Sequence, residues 1–220
     1  MKSKKVIILG GLGNGSVIAA AILDANLKGY MEWEFSGYLN DREKKGNLIG
    51  GMPVLGKLFD ANIFIDKGYY FINTILHIDG QQERIGLFER LNILNERMAT
   101  FVHPTAYVAP NVVLGPGTVI MPNVSISPEN VFGKGNLVMV NAFIGHNNVI
   151  GNYCHFAAQC CVGSYLKIED GVHVGLNSTI RENLIIGKNA TVGMGAVLTK
   201  NVGANEIWVG NPATLLRKAK

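Results

Sequence analysis

Every sixth residue from Val102 to Leu198 is aliphatic or Phe, an unbroken series that includes Ile120, Phe132, Ile144, Phe156, Ile168, Ile180 and Val192. Neither a helical period of 3.6 nor a strand alternation of 2 generates such a series, whereas a stacked solenoid does. One coil cannot bury its corner residues alone, so neighbouring coils must supply a shared interior column and a shared backbone ladder. Glycine follows the aliphatic residue at 115, 133, 145, 151, 163, 175, 187 and 193, which reads as relief from the Cβ at tight corners. Four positions beyond it stand small or compact residues such as Ala106, Thr118, Cys154, Cys160 and Ala196, which gives both cysteines a packing role. The frame spans residues 102 to about 203 in five to six coils without a large excursion loop.

The first hundred residues have another texture, that of a small α/β domain. Lys4 to Leu9 reads as a strand, Gly10-Gly11-Leu12-Gly13-Asn14-Gly15 as a turn, and Ser16 to Leu27 as a helix. Further strands are predicted at Glu34–Asp41 and Tyr69–Asn73, and a helix from about Gln81 to Leu94. The expected domains are 1–100, 101–205 and a strand or helix tail at 206–220.

The 20 basic and 16 acidic residues are dispersed, leaving a net charge of +4 without the basic stripe that nucleic acid requires. The apolar run behind the basic amino terminus ends at Leu9, too short for a signal core or membrane span, so a cytoplasmic protein without membrane insertion is expected. Three cysteines without a C-x-x-C pair read as reduced thiols.

A glycine turn between strand and helix suits an anion, because helix-terminal N–H groups face it and small residues allow close approach. The spacing here is G-x-x-G-x-G, however, and a purely structural turn remains an equal reading. His146, in Ile144-Gly145-His146-Asn147-Asn148-Val149-Ile150-Gly151, falls two residues beyond an inward aliphatic and should point outward. An imidazole there is suited to base catalysis near neutral pH, although an exposed solenoid histidine is also ordinary.

The hexad run resembles the hexapeptide-repeat proteins, which wind a left-handed parallel β-helix. Together with the glycine-turn α/β domain and the Gly210-Asn211-Pro212-Ala213 ending, the whole chain resembles the bacterial sugar acyltransferases of that kind, among them amino-sugar N-acetyltransferases and sialic acid O-acetyltransferase-like proteins. The fold so implied is a Rossmann-like domain followed by a left-handed β-helix. The resemblance implies an enzyme of surface polysaccharide biosynthesis that N-acetylates a nucleotide-linked amino sugar from acetyl-CoA, without a metal, as a homotrimer. It makes His146 the general base and Asn147 its orienting neighbour, where relatives commonly carry an acid. Gly13, Asn14 and Gly15 would face the diphosphate, and Asn40 and Asp41 the base and ribose; a plain polar turn at 40–41 stays open. His155, Ala158, Leu176, Met194 and Arg217 would line the acetyl-CoA path, with a solvated terminal helix as the other reading of the tail. Three other functions stay open: O-acetylation of a sialic-acid-like sugar, a non-catalytic nucleotide-sugar scaffold, and a zinc site of the gamma carbonic anhydrase type on His155 and His173, which stand one coil apart.

Overall fold

The computed structural model describes residues 3–219, so residues 1, 2 and 220 of the expected outer domains lie outside it. The amino-terminal part is a five-stranded sheet in the order β3-β4-β2-β1-β5, built from β1 (Lys4–Leu9), β2 (Trp33–Leu39), β3 (Leu48–Ile49), β4 (Met52–Gly56) and β5 (Tyr70–Asn73). All its pairs are parallel except the β3–β4 hairpin. Val6 to Leu9 of the interior strand β1 are fully buried, as a parallel strand covered on both faces demands. The helices are α1 (Asn14–Leu27), α2 (Ala61–Ile65) and α3 (Gln81–Glu89), the last ending five residues before the predicted Leu94. The hairpin and α2 were not foreseen. Gly50 and Gly51, with φ of 56° and 80°, make the two-residue turn whose left-handed backbone glycine accepts without strain.

From Phe101 the chain winds a triangular parallel β-helix of two-residue strands, one every six residues. The hexad residue of each strand points inward and the residue before it outward. Ile120, Ile126, Val138, Ile144, Phe156, Val162, Val174 and Val192 are all completely buried in the interior column. Each contributes on the order of 1.5–3 kcal/mol by leaving water.

The glycines after the hexad residue correct the sequence reading, because none of the eight has a positive φ. A Cβ on Gly145 would lie 2.6 Å from the carbonyl oxygen of Gly163, and one on Gly175 2.6 Å from the backbone nitrogen of Met194. These glycines permit close stacking of coils. The left-handed corner lies two residues later, at Asn123, Asn141, Asn147, Asn177 and Asn189 with φ between 53° and 59°, and at Gly117, Gly135, Gly171 and Gly195. Asparagine tolerates that region better than most residues, which accounts for its frequency there.

A second asparagine ladder stands inside. Asn148 donates to the carbonyls of Gly145 and Gly163 at 2.8 and 3.1 Å and accepts from the Leu166 nitrogen at 2.8 Å. Asn130 and Asn136 make equivalent bonds, so these fully buried amides satisfy corner backbone groups.

The three faces of the prism are not equivalent. On the face that begins with Phe101–Val102, the outward residues Val119, Leu137, His155, His173 and Thr191 are buried under the amino-terminal part. On the other two faces, Tyr107, Val113, Val131, Phe143, Val149 and Ile185 remain exposed. The tail extends the covered face as two antiparallel strands, Glu206–Val209 and Thr214–Lys218, and replaces the terminal helix considered above. Cys154 and Cys160 are buried as expected, and burial pushes each thiol up to about 12; Cys161 is exposed. No helix among the described residues is long and apolar enough to cross a membrane.

Candidate active site

The glycine turn opens at the carboxyl end of β1, where the strand order reverses between β2 and β5. Gly10 adopts φ 119°, and a Cβ there would press to 2.5 Å from Thr74 Oγ1. Thr74 donates its hydroxyl to Leu9 O at 2.8 Å and thereby ties β5 to the turn. Gly13, with φ 84° and open space around it, precedes α1, whereas Gly15 is buried in the first helical turn against Thr74 and Ile8. A crevice of about 410 Å³ lies outside these strand ends, lined by Gly10, Gly11, Asn40, Asp41, Thr74 and Leu76 among others. Open α/β sheets take ligands at such a switch point.

The Asn40 side chain is engaged in holding this crevice. Its oxygen accepts from the backbone nitrogens of Arg42 and Glu43 at 2.7 and 3.0 Å, and its nitrogen donates to Gly10 O at 3.0 Å. Asp41 accepts the Leu58 N–H on one carboxylate oxygen at 2.9 Å. Asn40 thus builds a polar turn, while Asp41 lines the crevice.

Two further hollows continue the crevice. One of about 510 Å³ runs past Leu12, Gly13, Asn14, Thr74 and Leu76, and it leads to a mainly apolar cleft of about 630 Å³ against the covered prism face. Asn14, Leu76 and Ile78 border both. The cleft gathers Asn14, His155, Ala158, Leu176, Met194 and Arg217, and adds Met139, His173, Thr191 and Asp79. Ala158, Leu176 and Met194 meet there because one coil separates each from the next. Arg217 is ion-paired with Asp79.

His155 is buried, because the sheet on which it stands is the covered one. Its Nδ1 lies 3.0 Å from Nδ1 of His173, and its Nε2 lies 3.4 Å from Asn14 Nδ2. The ring planes are 4° apart with centroids 5.0 Å apart, so the closest approach is nitrogen to nitrogen at the ring edges. Burial, the adjacent His173 and the Arg84 charge hold His155 well below the ordinary imidazole range. Burial and Arg84 bring His173 down to about 4. Arg84 is itself buried on α3 and donates to Tyr153 O at 3.0 Å, while Gln81 donates to Thr191 Oγ1 at 2.8 Å. Sequence reasoning missed Gln81 and Arg84, whose hydrogen bonds cross to Thr191 and Tyr153 of the prism, Leu76, which lines the cleft, and Thr74, whose partner Leu9 stands 65 residues away in the amino-terminal part. Among the described residues no three His, Cys, Asp or Glu side chains group as metal ligands.

His146 stands elsewhere, exposed on a corner between the two uncovered faces. Its Nδ1 lies 2.8 Å from Asn147 Oδ1, its ring meets Tyr165 edge-on with centroids 5.0 Å apart, and its backbone nitrogen donates to Ser164 Oγ at 3.1 Å. Asn147 has φ 57°, so it serves the left-handed corner and the histidine together. His146 is not among the residues lining the cleft.

No protein-family model matches the chain, and no curated protein matches it in sequence. Solved structures resemble it over nearly its whole length. The acetyltransferase domain of PglB from Neisseria gonorrhoeae FA1090 is 24% identical over 97% of this chain and 100% of that one, with a TM-score of 0.82. PerB from Caulobacter crescentus, in complex with CoA and GDP-perosamine, is 22% identical over 96% of each chain, with a TM-score of 0.76. WeeI from Acinetobacter baumannii AYE is 26% identical over 97% of this chain and 100% of that one, with a TM-score of 0.73.

Proposed function

On the left-handed β-helix fold that the chain shares with sugar acetyltransferases of the hexapeptide-repeat kind, we propose that it transfers an acetyl group from acetyl-CoA to the amine of an amino sugar carried on a nucleoside diphosphate. The observation that carries this reading is the continuity of the hollows. A switch-point crevice leads past the glycine turn into a mainly apolar cleft of about 630 Å³. Neighbours of the same fold hold acetyl-CoA, or CoA with GDP-perosamine.

In this reading Asp41 accepts from the ribose and the backbone of Leu12 to Asn14 at the start of α1 faces the diphosphate. The acyl-pantetheine chain follows Ala158, Leu176 and Met194. His146 takes the proton of the sugar amine as its nitrogen attacks the thioester carbonyl, forming a C–N bond and a tetrahedral oxyanion. Collapse breaks the C–S bond, and the departing thiolate takes the proton back from the imidazolium.

His146 and the cleft lie on different faces of one prism, so the reaction requires them from two chains. The exposed apolar residues Val113, Val131, Val149, Ile185 and Phe143 supply the contact surface for a homotrimer. Cys161 is the one exposed cysteine among the described residues, and a thiol reagent would report it together with released CoA, so products are best followed by mass. Incubation with acetyl-CoA and UDP-, GDP- and dTDP-linked amino sugars should yield one product heavier by a single acetyl group. Binding of CoA and a nucleotide sugar without any acetylated product would overturn the reading.

A further inference from the structure

With the Asn14 amide nitrogen facing His155, the contacts between Asn14, His155 and His173 impose one direction on the protons along them. An amide nitrogen only donates, so His155 Nε2, 3.4 Å from Asn14 Nδ2, is the acceptor and carries no hydrogen. A neutral ring with a bare Nε2 holds its proton on Nδ1. That N–H donates across 3.0 Å to Nδ1 of His173, which must then be bare, and the proton of His173 resides on Nε2.

The neutral state follows from the surroundings. Both rings are buried, and the charges that face them are Arg84 on α3 and the Arg217–Asp79 pair of the cleft. A second positive charge beside Arg84 is disfavoured, in line with the lowered values of both histidines. The one hydrogen bond of the His173 ring to another described residue is the one at Nδ1, and the ring lines the cleft. The next residue of the column, Thr191, has its hydroxyl oxygen bonded by Gln81.

We propose that Asn14, His155 and His173 form one directed hydrogen-bond line whose terminal N–H, on His173 Nε2, binds a carbonyl oxygen of an acyl-pantetheine chain lying in the cleft. This rests on the transferase reading for the identity of the ligand, whereas the proton positions rest on the contacts of the two rings, the Asn14 amide orientation and their burial. The line makes His173 a binding residue in its own right and gives His155 the task of orienting it. It also joins the glycine turn to the acyl cleft through a single amide.

The first test needs no variant and no substrate. Long-range proton–nitrogen correlation spectra of the nitrogen-15-labelled full chain should find His155 protonated on Nδ1 and His173 on Nε2; His155 protonated on Nε2 would overturn the line. The second is calorimetric titration with CoA and with acetyl-CoA. His173→Phe, which keeps a flat ring but no donor, should weaken binding about tenfold, and His173→Gln, which restores an N–H, should recover most of it. A loss confined to acetyl-CoA identifies the thioester oxygen as the partner, an equal loss for both ligands an amide carbonyl of the arm. Unchanged affinity for both ligands in His173→Phe would overturn the proposal. A wild-type chain that binds neither ligand would overturn the transferase reading and the ligand assignment with it, but not the proton positions.

Discussion

His146 Nδ1 donates to Asn147 Oδ1 across 2.8 Å, since the amide oxygen can only accept. The neutral ring is therefore left with its lone pair on Nε2, the nitrogen that a base needs. Asn147→Gly keeps a residue suited to φ 57° while removing the acceptor. Transfer should fall about tenfold, with thermal stability little changed, as expected for loss of one orienting hydrogen bond. Asn147→Asp restores an acceptor and tolerates the same backbone, so its activity should return. A Gly variant as active as wild type would deny Asn147 an orienting role.

A site assembled from two chains predicts complementation. His146→Ala and Leu176→Arg, the second blocking the cleft, should each be inactive alone. Trimers mixed from the two should regain about a quarter of wild-type activity, because one site in four combines an intact histidine with an intact cleft. Inactive mixed trimers would show that His146 and the cleft do not serve one reaction.

The buried histidine pair links stability to pH. His173 has a folded value of about 4 against an ordinary 6.5, so between those values the unfolded chain binds a proton that the native chain does not. Stability is unaffected by this group above that window and falls as pH drops through it, by about 3 kcal/mol in total. His155 acts in the same direction. Urea midpoints should decline from about pH 7 to pH 4.5, and less steeply in His173→Phe. Parallel declines in the two proteins would contradict the assignment.

The two kinds of glycine should respond differently to substitution. Gly175→Ala places a Cβ 2.6 Å from the backbone nitrogen of Met194, and forced coil separation should cost about 1–3 kcal/mol. Gly195 has φ 64° and no atom near its missing Cβ, so Gly195→Asn, the residue found at equivalent corners, should be nearly neutral. Thermal melts of the two variants distinguish these outcomes.

The solenoid was legible because its period is a property of the sequence itself, and so was the outward placement of His146. The reason for each glycine was not: Gly145 and Gly175 are shaped by the coil beside them, whereas Asn147 and Asn177 take the left-handed backbone at which the glycines first pointed. The interior asparagines Asn130, Asn136 and Asn148 looked polar and are buried because every amide atom finds a backbone partner. The β3–β4 hairpin had a signal in Gly50-Gly51 between apolar residues that the reading passed over. For the site, the column of Ala158, Leu176 and Met194 follows from coil arithmetic. The burial of His155 does not, because nothing in a repeat reveals which of three faces another domain covers. Gln81 and Arg84 stayed hidden for the same reason, and Thr74 because its partner Leu9 stands 65 residues away on another strand of the amino-terminal sheet.

The most direct test of the account compares wild type with His146→Ala on the amino sugar nucleotide that wild type acetylates, following product by mass. The account predicts a fall of about 10²–10⁴-fold in turnover with acetyl-CoA binding retained, the contribution expected of a general base. Equal turnover in the two proteins would contradict it.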